Sequence, residues 1–254
     1  MKKVLFLCAI VFLFSQLWSQ NAVNIANNKS SNEDRNFRIP LIGEKAPSFT
    51  AESTNGTINF PDDFGHNWKI LFSHPQDFTP VCSTEIMELA NLQDQFDKLG
   101  VKLVVVSTDK LETHVQWKKA MEMIKLNNRE TAKIKFPLVD DKNITIAKEY
   151  GMIHPETNST QSVRGVFIID PNNIIQAVLF YPMNLGRNTE ELLRMVSALQ
   201  TSAKDKVLMP VNWTPGKDVL VKVPPKASET NSNANGEIAG YYNPAWFLWY
   251  KKSN

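Results

Sequence analysis

The order of apolar segments along the chain predicts a three-layer α/β domain, in which a sheet lies between two layers of helices. Short apolar runs typical of buried strands alternate with amphipathic stretches that have helical spacing. Val101–Ser107 is almost entirely apolar, as a central strand of a parallel sheet covered on both faces requires. The chain has 254 residues, of which 43% are hydrophobic and 21% are charged, so it is long enough to bury such a core.

The predicted elements alternate between strand and helix along most of the chain. In residue numbers they are an N-terminal hairpin at 50–60, a strand at 69–73, a helix from 80 that ends at Gly100, a strand at 101–107, a helix at 113–126, a short strand at 136–140, a helix at 143–150, hairpin strands at 163–169 and 174–179, and a helix at 189–200. The helix at 113–126 is predicted to bury Val115, Met121 and Ile124, with Trp117 as a further candidate.

Residues 1–20 have the pattern of an export signal. Lys2 and Lys3 precede an apolar run at 4–14 that is too short to span a membrane, and polar residues follow up to Gln20. We expect cleavage near Gln20 and a mature protein that is secreted or periplasmic and not held in a membrane; an uncleaved membrane anchor is the alternative. Residues 21–40 are predicted to be a flexible polar segment, followed by the main domain at 41–205.

Residues 206–254 form a C-terminal extension of different composition. Prolines punctuate an extended arm, a polar linker occupies 228–236, and the end of the chain is strongly aromatic. Because so much aromatic surface disfavours full exposure, we expect this tail to pack either on its own domain or on a second subunit. The aromatic residues are Tyr241, Tyr242, Trp246, Phe247, Trp249 and Tyr250.

Charge and cysteine content narrow the function classes. Loss of the signal would remove two of the 28 basic residues and none of the 26 acidic ones, so the mature chain has no net charge and no general attraction to nucleic acid or anionic membranes. Cys8 would leave with the signal, which makes Cys82 the only thiol of the mature protein. An unpaired cysteine in an exported protein favours a working thiol. No Cys/His spacing suggests a metal site.

The segment before Cys82 joins the predicted strand at 69–73 to the predicted helix. Thr79 has the chemistry of an N-cap and Pro80 suits the first helical position, which makes Cys82 the third residue of the helix. Free N–H groups and the helix dipole favour an anion there, so the thiol should ionise more readily than a free one. The alternative is that Cys82 is a small buried hydrophobic residue.

The spacing Pro75-x-x-x-Thr79-x-x-Cys82 resembles the hallmark of the peroxiredoxins of the AhpC/TSA type. The longer match from His74 to Glu85 is similar to the one-cysteine branch, the peroxiredoxin 6 subfamily, as are the segments 181–182, 186–188 and 210–213. The resemblance runs from about residue 41 to residue 223. It implies a thioredoxin-like fold, assembly into a homodimer or a larger homo-oligomer, and no bound cofactor.

The resemblance also implies roles for the motif residues. Cys82 would be the nucleophile, Thr79 would hold the thiolate and a peroxide oxygen, and Arg164 would supply a fixed positive charge. Pro75 would wall the pocket and limit water. Glu85 would orient an arginine, and the remaining supporting residues would be His74, beside the cysteine, and Arg187, the second arginine of this branch.

Plainer interpretations remain open for several of these residues. Taken alone, Arg164 is a surface or ion-pair arginine, Arg187 is an ordinary loop arginine, and His74 is a structural hydrogen-bond partner. Asp77 is predicted to be a turn residue. Surface positions are expected for His66, His114 and His154.

We therefore expect a thiol-dependent peroxidase that reduces hydrogen peroxide and alkyl hydroperoxides through a Cys82 sulfenic acid. Because the mature chain has no second cysteine, an external thiol such as glutathione or a thioredoxin-like protein must reduce the sulfenic acid. One alternative is a chaperone-like or redox-sensing oligomeric binding protein. Another is a thiol–disulfide oxidoreductase, which the lack of a Cys-x-x-Cys motif makes weaker.

Members of this branch can carry a serine and a histidine that are associated with phospholipase activity. The corresponding places hold Asn67 and Pro61 in this chain. Because an amide and a proline cannot serve as nucleophile and base, we expect no release of fatty acid from phospholipid.

Overall fold

The computed structural model describes residues 38–126, 129–223 and 238–253. The predicted signal at 1–20, nearly all of the predicted lead-in and the linker at 228–236 lie outside these ranges. Within them, a mixed sheet of five strands is the centre of the fold. No helix in these ranges combines the length and the apolarity needed to cross a bilayer.

A short 3-10 helix lies at Asp62–Phe64, and the described residues otherwise form ten strands and four α-helices. They are β1 (Phe49–Ala51), β2 (Ile58–Phe60), β3 (Trp68–Ser73), α1 (Pro80–Lys98), β4 (Val101–Ser107), α2 (Leu111–Met121), β5 (Leu138–Asp140), α3 (Thr145–Glu149), β6 (Arg164–Ile169), β7 (Ile175–Tyr181), α4 (Thr189–Asp205), β8 (Val219–Leu220), β9 (Tyr241–Ala245) and β10 (Leu248–Lys251).

The central sheet has the strand order β5-β4-β3-β6-β7. β3 and β5 run parallel to β4, whereas β6 runs antiparallel to both β3 and β7. β3 therefore lies in the middle of the sheet, between β4 and β6. Its C-terminal end delivers the chain to the segment that contains Cys82, and the first residue of β6, Arg164, is brought to the same end of the sheet because β6 runs the opposite way.

Hydrophobic residues form one cluster on each face of this sheet. Successive side chains of a strand point to opposite faces, and β3 shows this directly: Ile70 and Phe72 belong to one cluster, and Leu71 belongs to the other. The first cluster includes side chains of α1, α2 and α4, among them Trp117, and the second includes Tyr150 and residues of α3. Helices thus cover both faces, and the predicted three-layer α/β class is confirmed.

The second helix differs from its prediction. α2 ends at Met121 instead of residue 126, so Ile124 lies beyond the helix and is 48% exposed, and Val115 is only half-buried. The inner face follows the i, i+3, i+7 spacing from a different starting residue than expected. Its buried members are His114, Trp117 and Met121.

The aromatic tail forms a small antiparallel sheet with the extension of its own chain. The strand order is β8-β10-β9, and the rings of Tyr242 and Tyr250 stack with centroids 4.9 Å apart. Trp246 and Phe247 lie between β9 and β10 and are 85% and 70% exposed. The backbone of the tail is therefore paired within the chain, while the rings at its tip are not covered by the described residues.

Candidate active site

The turn between β3 and α1 places Cys82 as the sequence predicts. Thr79 is the N-cap residue with an extended backbone, Pro80 is the first helical residue, and Cys82 is the third. The Thr79 hydroxyl does not cap the helix; it donates to the carbonyl of Gln76 at 2.9 Å. The N-terminus of α1 still presents its unpaired N–H groups and its positive dipole end around Cys82.

The Cys82 sulfur is buried and faces a guanidinium group. Cys82 has 0% relative exposure, and Nη1 of Arg164 donates to its Sγ at 3.2 Å. The same guanidinium group donates from Nε and Nη2 to the carbonyl oxygen of Met183, at 3.0 and 2.5 Å. Arg164 is therefore held in place by Nε and Nη2, and its third nitrogen, Nη1, faces the sulfur.

Glu85 joins the two arginines of the site. Its Oε2 accepts from Nη1 of Arg164 at 2.7 Å and from Nη2 of Arg187 at 2.8 Å, and its Oε1 accepts from Nε of Arg187 at 2.8 Å. All three side chains are almost completely buried. Burial alone would raise the pKa of Glu85, but the hydrogen bonds and charge of Arg187, together with the charge of Arg164, hold that pKa below its ordinary value.

The charges of this cluster do not cancel on their own. Two guanidinium groups and one carboxylate leave one positive charge without an acidic partner among residues 38–126, 129–223 and 238–253. Burial lowers the pKa of Arg187, and the charges of Glu85 and Cys82 act in the opposite direction. A negative charge on the Cys82 sulfur would balance the remaining positive charge, and the thiolate is the nucleophilic form of cysteine.

Arg187 connects the site to the sheet. Its Nη1 donates to the carbonyl oxygens of Ser73, at the end of β3, and of Gly165, in β6, at 2.7 and 2.9 Å. Its guanidinium carbon lies 3.3 Å from the centre of the Phe72 ring. Arg187 is thus a buried tie between α1 and two strands, and not an ordinary loop arginine.

The predicted site residues Pro75 and Thr79 lie in the turn before α1. In the described structure neither of them donates a hydrogen bond to the sulfur, as Arg164 does. Pro75 is buried and Thr79 is half-buried. Among the described residues, the hydrogen bond at Sγ comes from Arg164, while the Thr79 hydroxyl is engaged by Gln76. For Thr79 to hold a thiolate or a peroxide, its hydroxyl must rotate away from the Gln76 carbonyl.

His74 belongs to a buried hydrogen-bond network with Asp77 and His114. Nε2 of His74 lies 2.8 Å from Oδ1 of Asp77, and Nδ1 of His114 lies 2.7 Å from Oδ2 of the same carboxylate. The prediction that His114 is a surface residue is therefore wrong, because its side chain is fully buried; His66 is exposed and His154 is half-buried. Asp77 is therefore a shared hydrogen-bond acceptor for two buried histidines as well as a turn residue.

The same region contains three potential metal-ligand atoms, from His74, Asp77 and Asp109, within 4.8 Å of one another. Hydrogen bonds account for this arrangement. Both Asp77 oxygens are engaged by histidines, and Oδ2 of Asp109 accepts from the Asp77 N–H at 2.8 Å and from the Ser107 hydroxyl at 3.1 Å. We therefore describe the group as a hydrogen-bond network.

Sequence reasoning missed the groups that hold the arginines in place. The Arg164 and Arg187 side chains are fixed by backbone carbonyls of Met183, Ser73 and Gly165, and a carbonyl carries no residue-specific signal. It also missed His114, which lies 37 residues after its partner Asp77. A helical-wheel plot begun at Trp117 would have placed His114 on the buried face of α2.

A buried thiol that faces a fixed guanidinium group at a helix N-terminus is suited to nucleophilic and redox chemistry on a small substrate. The surrounding fold is a three-layer α/β domain with β3 as the central strand of its sheet. The site and the fold together define a thiol oxidoreductase of the thioredoxin-like class. Comparison with known proteins identifies the family within that class.

The chain matches the AhpC/TSA family over residues 42–178 and the C-terminal domain of 1-Cys peroxiredoxin over residues 198–234. A peroxiredoxin of Methanosarcina mazei is 44% identical over 215 residues, which cover 84% of this chain and 98% of the relative. A peroxiredoxin of Thermotoga maritima is 41% identical over 218 residues, which cover 85% and 98%.

Two solved structures agree with these sequence matches. One is a yeast mitochondrial 1-Cys peroxiredoxin, with a TM-score of 0.72, 36% identity, and coverage of 85% of this chain and 100% of that chain. The other is the peroxiredoxin 6 of Arenicola marina, with a TM-score of 0.70, 32% identity, and coverage of 85% and 99%. The chain belongs to the peroxiredoxins of the AhpC/TSA family and is therefore a thiol-dependent peroxidase, as the motif around Cys82 predicted.

Replacing Glu85 by glutamine should strongly destabilise the protein. The substitution removes the carboxylate that pairs with two buried guanidinium groups, and loss of one partner of a buried ion pair costs about 3–5 kcal/mol. The free energy of unfolding, obtained from urea titrations at neutral pH, measures this loss.

Glu88→Gln is the matched control, because Glu88 lies on the same helix and pairs with Arg129 at 2.7 Å near the surface. It should cost about 1 kcal/mol or less. Since the pKa of Glu85 is lowered in the folded state, its contribution is present above the ordinary pKa of 4.5 and is lost as the pH falls below it. Equal losses in the two variants at neutral pH would contradict a structural role for the Glu85 cluster.

Proposed function

We propose that this protein reduces hydrogen peroxide and alkyl hydroperoxides by a 1-Cys mechanism. The observation that carries the proposal is the 3.2 Å contact between Nη1 of Arg164 and Sγ of Cys82, the single cysteine of residues 9–254. A fixed cation at the sulfur favours the thiolate, and no second cysteine in that part of the sequence can resolve the oxidised form.

In the oxidising half-reaction, the Cys82 thiolate attacks the terminal oxygen of the hydroperoxide. An S–O bond forms and the O–O bond breaks, so the sulfur is oxidised to a sulfenic acid and the alkoxide leaves. The alkoxide takes up the proton that the thiol had released, and the products are Cys82–SOH and an alcohol, or water when the substrate is hydrogen peroxide. Arg164 faces the sulfur and can stabilise the negative charge as it moves onto the leaving oxygen.

The reducing half-reaction requires a thiol from outside the chain. An external thiol attacks the sulfenic sulfur as its thiolate; the S–O bond breaks, and the hydroxide takes up the proton that this thiol released and leaves as water. A second thiol then breaks the mixed disulfide to restore Cys82. Glutathione and a thioredoxin-like protein are the two proposed reductants; the yeast mitochondrial 1-Cys peroxiredoxin structure is described in terms of both systems. Because Cys82 has 0% exposure, residues around the sulfur must move to admit either one.

Replacing Cys82 by serine should abolish peroxide consumption, because serine is not a nucleophile of comparable strength here. One equivalent of peroxide should add a single oxygen to Cys82 of the wild-type protein, and mass spectrometry of the intact protein, with trapping of the sulfenic acid, measures it. Sustained peroxide consumption by Cys82→Ser would disprove the mechanism.

The Cys82→Ser variant also distinguishes the peroxidase from the second candidate function, a chaperone-like or redox-sensing binding protein. The exposure of Trp246 and Phe247 favours that candidate, because large aromatic rings at a protein surface often mark binding sites. A chaperone-like activity does not need the thiol, so suppression of aggregation by Cys82→Ser at the wild-type level, together with slow peroxide consumption by the wild type, would favour the binding protein.

Replacing Arg164 by lysine tests the electrostatic role directly. Lysine keeps the positive charge but places it on one nitrogen, which cannot reproduce the separate contacts that Nε and Nη1 make with Met183, Glu85 and the sulfur. The sulfenic acid should therefore form about 100-fold more slowly in stopped-flow measurements. Arg194→Lys is the control, since Arg194 pairs with Glu191 on α4 and should leave the rate unchanged. An Arg164→Lys rate equal to that of wild type would remove Arg164 from the mechanism.

We also propose that the protein is exported after cleavage near Gln20 and that it acts as a homodimer or a larger homo-oligomer. The lysines, the short apolar run and the polar residues of 1–20 support export, and the exposed rings of Trp246 and Phe247 support self-association. N-terminal sequencing of protein from the periplasm or the medium should find a mature N-terminus near Asn21. Light scattering should give the mass of a dimer or of a larger assembly. Protein confined to the cytoplasm with an intact N-terminus would disprove export, and a monomer mass would disprove assembly.

A further inference from the structure

The buried network of His74, Asp77 and His114 has no role in the steps described above. The two histidines approach opposite oxygens of one carboxylate, at 2.8 and 2.7 Å. Each of these side chains is excluded from solvent. Polar groups buried to this degree must carry their protons where their partners can accept them, so the geometry restricts the protonation states.

His114 has oxygen acceptors at both ring nitrogens. Nε2 lies 3.0 Å from the carbonyl oxygen of Val139, which can only accept, so Nε2 carries a proton. Nδ1 lies 2.7 Å from Oδ2 of Asp77, and an ionised carboxylate also only accepts, so Nδ1 carries a second proton. With Asp77 ionised, His114 is therefore an imidazolium ion inside the protein.

The other oxygen of Asp77 sets the protonation of His74. Oδ1 is an acceptor for Nε2 of His74, so the neutral His74 ring carries its proton on Nε2 and leaves Nδ1 with a free lone pair. Among the described residues, Nδ1 of His74 is buried and has no hydrogen-bond partner. A buried acceptor without a partner is costly, and it is available to a proton donor that enters the site.

His74 is close to the reactive helix start in space as well as in sequence. Its carbonyl accepts from the Ser162 hydroxyl at 3.0 Å, and its ring lies 5.0 Å from that of Trp117. Trp117 donates from Nε1 to the hydroxyl of Ser83 at 3.2 Å, and Ser83 directly follows Cys82. The network therefore lies between α2 and the turn that leads into the start of α1.

The energetics support these charge states. Burial lowers the pKa of His114, but the hydrogen bond and the charge of Asp77 outweigh burial and raise it above the ordinary value. Burial lowers the pKa of His74, and Asp77 does not fully compensate. Burial raises the pKa of Asp77, yet the two histidines outweigh it and lower that pKa. All three directions favour charged His114 and Asp77 beside neutral His74.

We propose that His114 is a positioning residue of the peroxidase site: its imidazolium, anchored on Val139, keeps Asp77 ionised, and Asp77 holds His74 with Nδ1 as a free acceptor. That lone pair can accept a hydrogen bond from the O–H group of a peroxide or of the Cys82 sulfenic acid. The inference rests on the proposed function, because it assumes that Cys82 is the residue that reacts with peroxide.

The arrangement implies a specific pH dependence. The groups that face His114 are Asp77 and His74 from the turn after β3 and Asp109 from the loop before α2; on β5, Asp140 instead accepts from the Leu111 N–H. Since the pKa of His114 is raised, its charge is present below that pKa and is lost as the pH rises through it. The rate of sulfenic acid formation should therefore fall on the alkaline side as His114 loses its proton.

The wild-type protein allows a test without any substitution. The chain has four histidines, so ¹⁵N NMR of the reduced, full-length protein with labelled histidine can follow each ring. At a pH of about 6.5, the ordinary histidine pKa, we expect both ring nitrogens of His114 to be mostly protonated and Nδ1 of His74 to be bare. A neutral His114 at that pH, or a His74 protonated on Nδ1, would overturn the proposal.

A substitution then tests the link to catalysis. In His114→Asn the side-chain amide can donate to Asp77 in place of Nδ1, but it carries no charge. We expect about 10-fold slower sulfenic acid formation and loss of the alkaline decrease in rate, since removal of a group that orients a reactive residue commonly costs 10-fold or more. His66→Asn, at an exposed position, is the control and should behave as wild type.

The outcomes are distinguishable from failure of the proposed function. If Cys82→Ser is inactive but His114→Asn keeps the wild-type rate and pH profile, the positioning role is wrong and the peroxidase mechanism stands. If Cys82→Ser retains turnover, the 1-Cys mechanism itself is wrong. If His114→Asn does not fold, the NMR measurement on the wild-type protein decides the proposal.

Discussion

The carboxylate of Glu85 is the group on which the geometry of the site depends. It bonds Arg164 and Arg187 simultaneously in an environment from which water is excluded. Without it, two positive charges would face each other with no compensation, a situation that is far more costly than the loss of an exposed ion pair. Arg187 then ties this carboxylate to two strands, and Arg164 carries the positive charge to the sulfur. The position of Cys82 relative to the sheet follows from this chain of contacts.

The network of Asp77 and the two histidines has the same arrangement as the Glu85 cluster, but its carboxylate is shared by histidines, which are titratable, and not by arginines. In each cluster a central carboxylate is shared by two nitrogen-bearing side chains from different elements: α1, β6 and the loop before α4 in the first, and the turn after β3 and α2 in the second. Arginine side chains stay protonated in proteins, whereas the charge of His114 is lost as the pH rises through its raised pKa. The first cluster therefore holds a permanent positive charge at the sulfur, and the second contains a charge that depends on pH.

The sequence carried most of the information about the fold and about the position of Cys82, because strand, helix and cap patterns are local. The third helical position of Cys82 follows from Thr79 and Pro80 alone. The helix at α2 was placed wrongly because its apolar pattern is weak, with two lysines and a histidine among eleven residues, so Trp117 and not Val115 or Ile124 defines its inner face. His114 could not be paired with Asp77 from the sequence, since only the packing of α2 against the turn brings them together.

The burial of Cys82 places different demands on the two halves of the catalytic cycle. A hydroperoxide needs to reach the sulfur with only its terminal oxygen, whereas a thiol reductant must bring a sulfur atom and the group attached to it. The turn at 74–79 is held by hydrogen bonds that both histidines donate to the Asp77 carboxylate and that the Asp77 N–H donates to Asp109, and these must loosen if the turn opens. Because Cys82 has no exposed surface, both half-reactions require residues around the sulfur to move, and the thiol reductant requires the larger movement. If the turn is the part that moves, the network that fixes it opposes the second half-reaction more than the first.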